Sequence, residues 1–397
     1  MKPHALGRSP DTVRLAARMA EIEPFHVMEI VRRALDLEAA GRRVIHMEIG
    51  QPDFSAPQPV IDAAIAALKR DPMGYAESLG IPALRAAIAR FYGERYRVEV
   101  DPQRIIVTAG ASGAFVIALG ALVEPGDEVL MPDPCYPCNR HFVRMFEGVA
   151  RTVAVDERTH YHLGLAEVQA YWGPRTRGVL LASPSNPTGA IVPTDALAAI
   201  VDWVHGRGGF VLIDEIYHEL VYGEPLPTAL ALSDEVFLVN SFSKYFCMTG
   251  WRLGWIVAPE RYVRGLERLA QNAFICAPVP SQHAALAAFA PDTIAILEER
   301  RREFQRRRDF LVPALRELGF RIPITPEGAF YVYAGIERFE VDSHTFAHRM
   351  LEEAGVAITP GLDFGANSPE RYVRFAYTRA IEELQEGVQR LRERLSG

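Results

Sequence analysis

The chain has 397 residues, 49% hydrophobic and 23% charged, a size that calls for two domains around sizeable cores and a balance that weighs against a disordered or fibrous protein. A formal net charge of -7 and a pI near 5.9 supply no overall basic field, so nucleic acid and membrane are disfavoured as principal partners and any anionic ligand has to be met locally. Residues 1–25 hold no apolar run of signal-peptide length and no later segment reaches membrane-spanning length, which points to a cytoplasmic location. Cys135, Cys138, Cys247 and Cys276 are too few for a disulfide framework and read as reduced thiols, the Cys135/Cys138 pair lacking the second ligand pair of a zinc site.

Along the chain, a first helix is expected around residues 27–41. From about residue 55, apolar β-branched segments alternate with longer amphipathic ones, the pattern of an α/β domain with a mostly parallel sheet. The spacing predicts strands at Arg104–Thr108, Glu128–Met131, Gly178–Ala182, Phe210–Ile213, Val236–Asn240 and Leu253–Val257, with helices over Pro82–Tyr92, Ser112–Leu122 and Asp195–His205. The texture changes near Pro291. A charge-dense helix over Glu298–Phe310 follows, then strands at Phe330–Ala334 and Arg371–Tyr377 flanking a helix over Ser343–Ala354, which suggests a smaller α+β unit. Ligands of such sheets bind beyond the carboxyl ends of the strands.

The residues there carry the chemistry. In Ser241-Phe-Ser243-Lys244, followed by Thr249-Gly-Trp-Arg252-Leu-Gly, a lysine sits among hydroxyls, apolar residues and an arginine. Burial and a neighbouring cation lower a lysine pKa and make it an imine-forming nucleophile, while Arg252, Ser241 and Ser243 could bind a phosphate. A surface lysine in a serine-rich turn fits the same segment. Thr108-Ala-Gly-Ala111-Ser112-Gly113 ends a strand and opens a helix, so its amides suit a phosphate as well as an ordinary helix cap; it is neither G-x-G-x-x-G nor G-x-S-x-G.

Asp214 emerges where the strand 210–213 ends, with Tyr217 three residues on. A carboxylate and a phenol on one face can serve a pyridine nitrogen and a phenolic oxygen, or can equally cap and pack a helix; Glu215 is the alternative carboxylate. Asn186 lies in the proline- and glycine-bounded turn Ser183-Pro-Ser-Asn-Pro-Thr-Gly189, and Tyr136, after another strand, offers a ring for stacking or for packing. Arg374, between Val373 and Phe375 on a partly buried strand, needs an anionic partner, either a carboxylate ligand or a structural acid; Arg371 and Arg379 look more exposed.

In order and local setting, Asn186, Asp214, Tyr217, Lys244, Arg252 and Arg374 resemble the class I/II aminotransferases, the aspartate aminotransferase family of fold type I pyridoxal-phosphate enzymes. The resemblance begins at Ile49-Gly-Gln-Pro-Asp-Phe54, runs through Gly74-Tyr75 to Arg85, and ends at Arg374. It implies a large domain over 50–285 with a mostly parallel seven-stranded sheet, and a small domain built from 1–49 and 286–397. It further implies pyridoxal 5'-phosphate held as an imine on Lys244, with Asp214 at the pyridine nitrogen and Asn186 and Tyr217 at the phenolic oxygen.

In the same resemblance Tyr136 is the ring over the cofactor, and Ala111, Ser112, Gly113, Ser241, Arg252 and, less firmly, Ser243 form the phosphate cup. Arg374, aided by Asn186 and the backbone of Gly50, is similar to the clamp for a substrate α-carboxylate. Tyr75 resembles a residue that reaches the phosphate from a neighbouring subunit, so a homodimer with shared active sites is implied. Lys244 and the ring partners are then catalytic. An amino group passes from an L-amino acid to a 2-oxo acid, glutamate and 2-oxoglutarate being the usual pair.

Two alternatives stay open: a β- or γ-eliminating lyase on the same scaffold, and a serine hydrolase built on Ser112. No catalytic metal is expected, because His344 and His348 flank Thr-Phe-Ala and lack the glutamate of a zincin motif; a packing role is expected for them. The segment from Ile22 to Val27 could line an apolar side-chain pocket, and no second arginine marks a dicarboxylate substrate.

Overall fold

The computed structural model describes residues 14–70 and 72–395; the first thirteen residues of the segment read for a signal peptide lie outside it. Twelve strands occur in chain order: β1 (Ile45–His46), β2 (Ile105–Thr108), β3 (Glu128–Asp133), β4 (Val149–Ala154), β5 (Thr176–Ala182), β6 (Phe210–Asp214), β7 (Phe237–Ser241), β8 (Gly254–Val257), β9 (Tyr331–Gly335), β10 (Val356–Ala357), β11 (Thr359–Pro360) and β12 (Tyr372–Ala376). Seven of them form one sheet in the order β2-β8-β7-β6-β5-β3-β4, parallel except where β8 runs against both of its neighbours. All six strands expected for this sheet are present. The seventh, β4, has no counterpart among those six segments: it is an edge strand with a mostly half-exposed surface, so Ala150-Arg-Thr-Val lacks the continuous apolar run that betrays its neighbours.

Those apolar runs have a direct cause. Along β5, Val179 and Leu181 point into one hydrophobic core and Leu180 into another; along β6, Val211 and Ile213 face the first and Leu212 the second. Both faces of the sheet are therefore dry, and alternation into polar residues has no place. Helix Gly110–Leu122 packs with Leu266 and Ala270 of helix Glu260–Phe274 on one side. Helices Pro82–Tyr96, Thr194–His205 and Pro291–Leu318 cover the other. The last is longer at both ends than the charged segment alone suggests, because its apolar positions Leu297, Phe304, Leu311 and Leu315 continue past it.

A second, antiparallel sheet has the order β11-β12-β9, and helix Ser343–Arg349 continues into a π-helical turn, Met350–Ala354. β1 pairs in parallel with β10, tying the N-terminal part of the chain to this C-terminal unit. The chain leaving β1 runs alongside β12: the Ala376 amide donates to Met47 O at 2.7 Å and Thr378 Oγ1 to Ile49 O at 3.2 Å. That path delivers Gly50 to the carboxyl ends of the large sheet.

Close approach between β8 and the start of helix Gly110–Leu122 depends on Gly254. A Cβ there would lie 2.7 Å from Gly110 C, 2.8 Å from Ala111 N and 2.9 Å from Asn240 O, all backbone atoms with no rotamer to yield. Gly254→Ala is expected to destabilise the fold by about 1–3 kcal/mol, the usual scale of overpacking. Denaturant unfolding checks this; an unchanged midpoint would show that the helix start is not clamped.

Candidate active site

A cavity of about 300 Å³ opens where the ends of β3, β5, β6 and β7 meet the second sheet. It is lined by Lys244, Asp214, Tyr217, Asn186, Tyr136, Ala111, Ser112, Ser243, Arg252, Gly50 and Arg374. Eleven of the fourteen expected site residues thus converge on one space from distant parts of the chain. The remaining three do not line it. Gly113 lies one residue deeper in its helix. Ser241 is buried behind Ser243, its Oγ 3.0 Å from both Ser243 Oγ and Leu253 O. Tyr75 is 85% exposed and outside the cavity.

Lys244 follows β7, and its Nζ donates to Gly50 O at 2.7 Å. Burial, then the Arg374 guanidinium, then Arg252 lower its pKa to about 8, against the pull of Asp214. Burial and Arg252 are the causes foreseen from sequence; Arg374 outranks Arg252. Asp214 ends β6 and is followed by a turn, not a helix; its Oδ1 accepts the Ile216 amide at 3.0 Å, and burial raises its pKa to about 7. The neighbouring Glu215 turns away, accepting from Thr228 Oγ1 at 2.8 Å and the Ala229 amide at 2.7 Å. Of these two neighbours, Asp214 is accordingly the one that lines the cavity.

Arg374 is buried, and among the described residues it makes no ion pair. Its Nη1 donates to Asn186 Oδ1 at 2.9 Å, and its Nη2 to Glu48 O at 2.6 Å and Thr359 Oγ1 at 3.2 Å, while Nε has no partner. The Tyr331 and Phe364 rings lie 4.2 and 4.9 Å from its Cζ. Neutral acceptors and ring faces fix the fork without cancelling its charge. Arg371 is exposed and Arg379 half-buried, as expected. The turn carrying Asn186 is held by the Gly189 amide to Ser185 O at 2.8 Å and the Ser185 amide to Ala190 O at 2.9 Å.

Arg252 is exposed at the opposite end, its Nη1 donating to Thr249 O at 3.2 Å. Gly110 makes room for it: a Cβ at that glycine would stand 2.6 Å from Arg252 Nη2. An exposed cation, the Ser112 and Ser243 hydroxyls and the first turn of a helix therefore share one end of the cavity.

Tyr331 went unread in the sequence. Its hydroxyl is 2.8 Å from that of Tyr217, its ring covers Arg374, and a Cβ at Gly50 would collide with it. The aromatic run Phe330-Tyr-Val-Tyr333 was the available signal, but only pairing of β9 with β12 brings it to the arginine. Of the N-terminal segment read as a pocket wall, Phe25 and Val27 line the cavity, joined by Met28; Ile22 does not. All four cysteines are free, and burial pushes the Cys135 thiol up to about 12, which suits an inert thiol. Among the described residues no histidine lines the cavity beside Ser112, so the serine has no Ser-His pair there.

The sequence matches the family model described as aminotransferase class I and II over residues 42–391. The chain belongs to the class I and II aminotransferases. It is 37% identical to a valine–pyruvate aminotransferase of Mycobacterium tuberculosis, across 96% of this chain and 98% of that protein. It is 35% identical to a (5-formylfuran-3-yl)methyl phosphate transaminase of Methanocaldococcus jannaschii, across 96% and 100%. A crystal structure of an aminotransferase from Mycobacterium tuberculosis superposes with a TM-score of 0.94 at 37% identity, covering 97% of this chain and 100% of that one. This aminotransferase thus shares the fold type I architecture implied by its motifs, with amino-group transfer as its activity.

The depressed Lys244 pKa has a measurable consequence. Since only the neutral amine is nucleophilic, the rate at which a small neutral amine reagent modifies Lys244 in cofactor-free enzyme should rise with pH and be half-maximal near pH 8. Asp214→Asn removes the one group that raises this pKa and should move the midpoint lower. A midpoint in the ordinary lysine range would contradict the burial and charge argument.

Proposed function

We propose that the cavity holds pyridoxal 5'-phosphate on Lys244 and serves transfer of an amino group from an L-amino acid to a 2-oxo acid. The observation that carries this reading is a buried arginine that makes no ion pair among the described residues, facing a half-buried lysine poised near neutrality. The residues fit the group. Asp214, pushed up to about 7 by burial, gains from a cationic ring nitrogen that restores its charge. Tyr217 and Asn186 offer donors to a phenolic oxygen, Tyr136 a ring face, and Ala111, Ser112, Ser243 and Arg252 a phosphate cup backed by Ser241 and the Gly113 turn.

When bound, pyridoxal 5'-phosphate supplies an electron sink for the substrate's α-carbon. This chain's side chains do the rest. Arg374 grips the α-carboxylate bidentately and, with Gly50 and Asn186 at its flank, fixes which bond at the α-carbon lies toward Lys244. Lys244, freed from its anchoring role, takes the α-proton as general base, a task suited to a pKa near 8. Asp214 keeps its negative charge beside the ring throughout. Phe25, Val27 and Met28 support an apolar substrate side chain, and among the described residues the lining holds no cation beyond Lys244, Arg252 and Arg374 for a second carboxylate.

The same reading divides the chain into a large unit over 50–285 and a small one from 1–49 and 286–397, which the pairing of β1 with β10 supports. A homodimer with shared active sites belongs to the proposal too. Its support is the exposed Tyr75 and the wide cleft of about 800 Å³, lined by Asp53, Phe54 and Trp251, that adjoins the cavity at Ile49 and Thr249. A cytoplasmic location accords with four free thiols.

Lys244→Ala is expected to lower amino transfer by roughly 10²–10⁴-fold or more. Arg374→Ala should cost about 2–5 kcal/mol in kcat/KM, the scale of truncating a buried hydrogen-bonded charge. The assay pairs a panel of amino donors with pyruvate, 2-oxoglutarate and oxaloacetate and follows both amino-acid product and ammonia. Unaltered turnover in either variant would remove that residue from the reaction, and ammonia without amino-acid product would point to the eliminating lyase.

A further inference from the structure

Helix Val27–Ala39 lies against helix Ser343–Arg349, and their contact holds a group of ligand-type side chains that the reaction does not use. His344 and His348 stand one turn apart with ring centroids 4.4 Å from each other. Glu29 comes from the first helix, its Oε2 3.6 Å from His344 Nε2, too far for a hydrogen bond. One ligand atom from each of the three residues lies within 4.8 Å of the other two. His348 Nε2 is buried and has no hydrogen-bond partner among the described residues, although a nitrogen so placed ordinarily has one.

We propose that Glu29, His344 and His348 form a binding site for a transition-metal dication, zinc by preference, that clamps the two helices together beside the substrate end of the cavity. Two imidazoles and a carboxylate are a borderline donor set suited to zinc and poorly suited to magnesium or calcium, which take oxygen ligands. Tetrahedral zinc with bonds of about 2.0 Å sets its ligand atoms about 3.3 Å apart. Reaching that spacing takes a modest closure, which the half-exposed Glu29 side chain can supply by rotating. The fourth position faces solvent or His26, whose ring centroid is 6.3 Å from that of His344. Arg33, on the same helix as Glu29, is paired with Glu352, so its charge is already answered.

The position gives the clamp a purpose. The amides of His26 and Val27 donate to Asp363 Oδ1 and Oδ2 at 2.7 and 3.0 Å, and Asp363 lines the cavity together with Phe25, Val27 and Met28. A cation on Glu29 one turn further on would fix the helix start from its outer side while Asp363 holds it from within. The sequence read His344 and His348 as packing residues and expected no catalytic metal. The inferred site is structural, and its third ligand is invisible to local spacing because Glu29 lies at the other end of the chain.

The test uses cofactor-loaded enzyme stripped of metal by a chelator and then titrated with zinc chloride by calorimetry and with cobalt(II) by visible absorption. The expected result is one equivalent per chain and a tetrahedral cobalt spectrum. His348→Ala and the milder Glu29→Gln should each weaken binding by at least about tenfold, while metal-free amino transfer stays at the wild-type level. Failure to bind one equivalent, or equal affinity in both variants with zinc held instead at Cys138 or the cofactor phosphate, would overturn the proposal.

Discussion

The structure turns on positive charge that no ion pair among the described residues answers, since Asp363, the carboxylate that feels Arg374, spends its oxygens on the His26 and Val27 amides. Arg374 and Lys244 are both enclosed at the junction of two sheets, and the arginine's hydrogen bonds go to an amide oxygen, a backbone carbonyl and a hydroxyl. Such acceptors satisfy geometry but not charge, and isolated charges in a low-dielectric interior are costly. Asp214, the one carboxylate whose charge bears on Lys244, is itself driven toward neutrality by burial. The cavity is thus built to be completed by an anion, and an amino acid's α-carboxylate supplies one.

The rest of the fold can be understood as what holds those charges apart from water and from one another's relief. Four parallel strands end at the cavity floor, where each delivers one side chain or turn. The antiparallel sheet brings Arg374 in on its middle strand, opposite Tyr333 on one side and Thr359 on the other. The segment after β1 joins the two by lending Glu48 O to the arginine and Gly50 O to the lysine. Tyr331 closes the remaining gap, bonded to Tyr217 and laid over the guanidinium.

Much of this was legible in the sequence where a strong local signal coincided with a strand end. Lys244, Asp214 and Asn186 follow apolar runs buried on both faces, and such runs are hard to mistake. A weak local signal failed at β4, where an edge strand keeps half its surface wet. Tyr331 and Glu29 were out of reach for a different reason. Their partners lie from about forty to more than three hundred residues away, and only tertiary pairing brings them together.

The most direct test of the account is borohydride reduction of the enzyme loaded with pyridoxal 5'-phosphate, followed by peptide mapping. Stable attachment is expected at Lys244 and at no other lysine, with a substrate amino acid protecting that residue from labelling. Attachment elsewhere, or none, would contradict it.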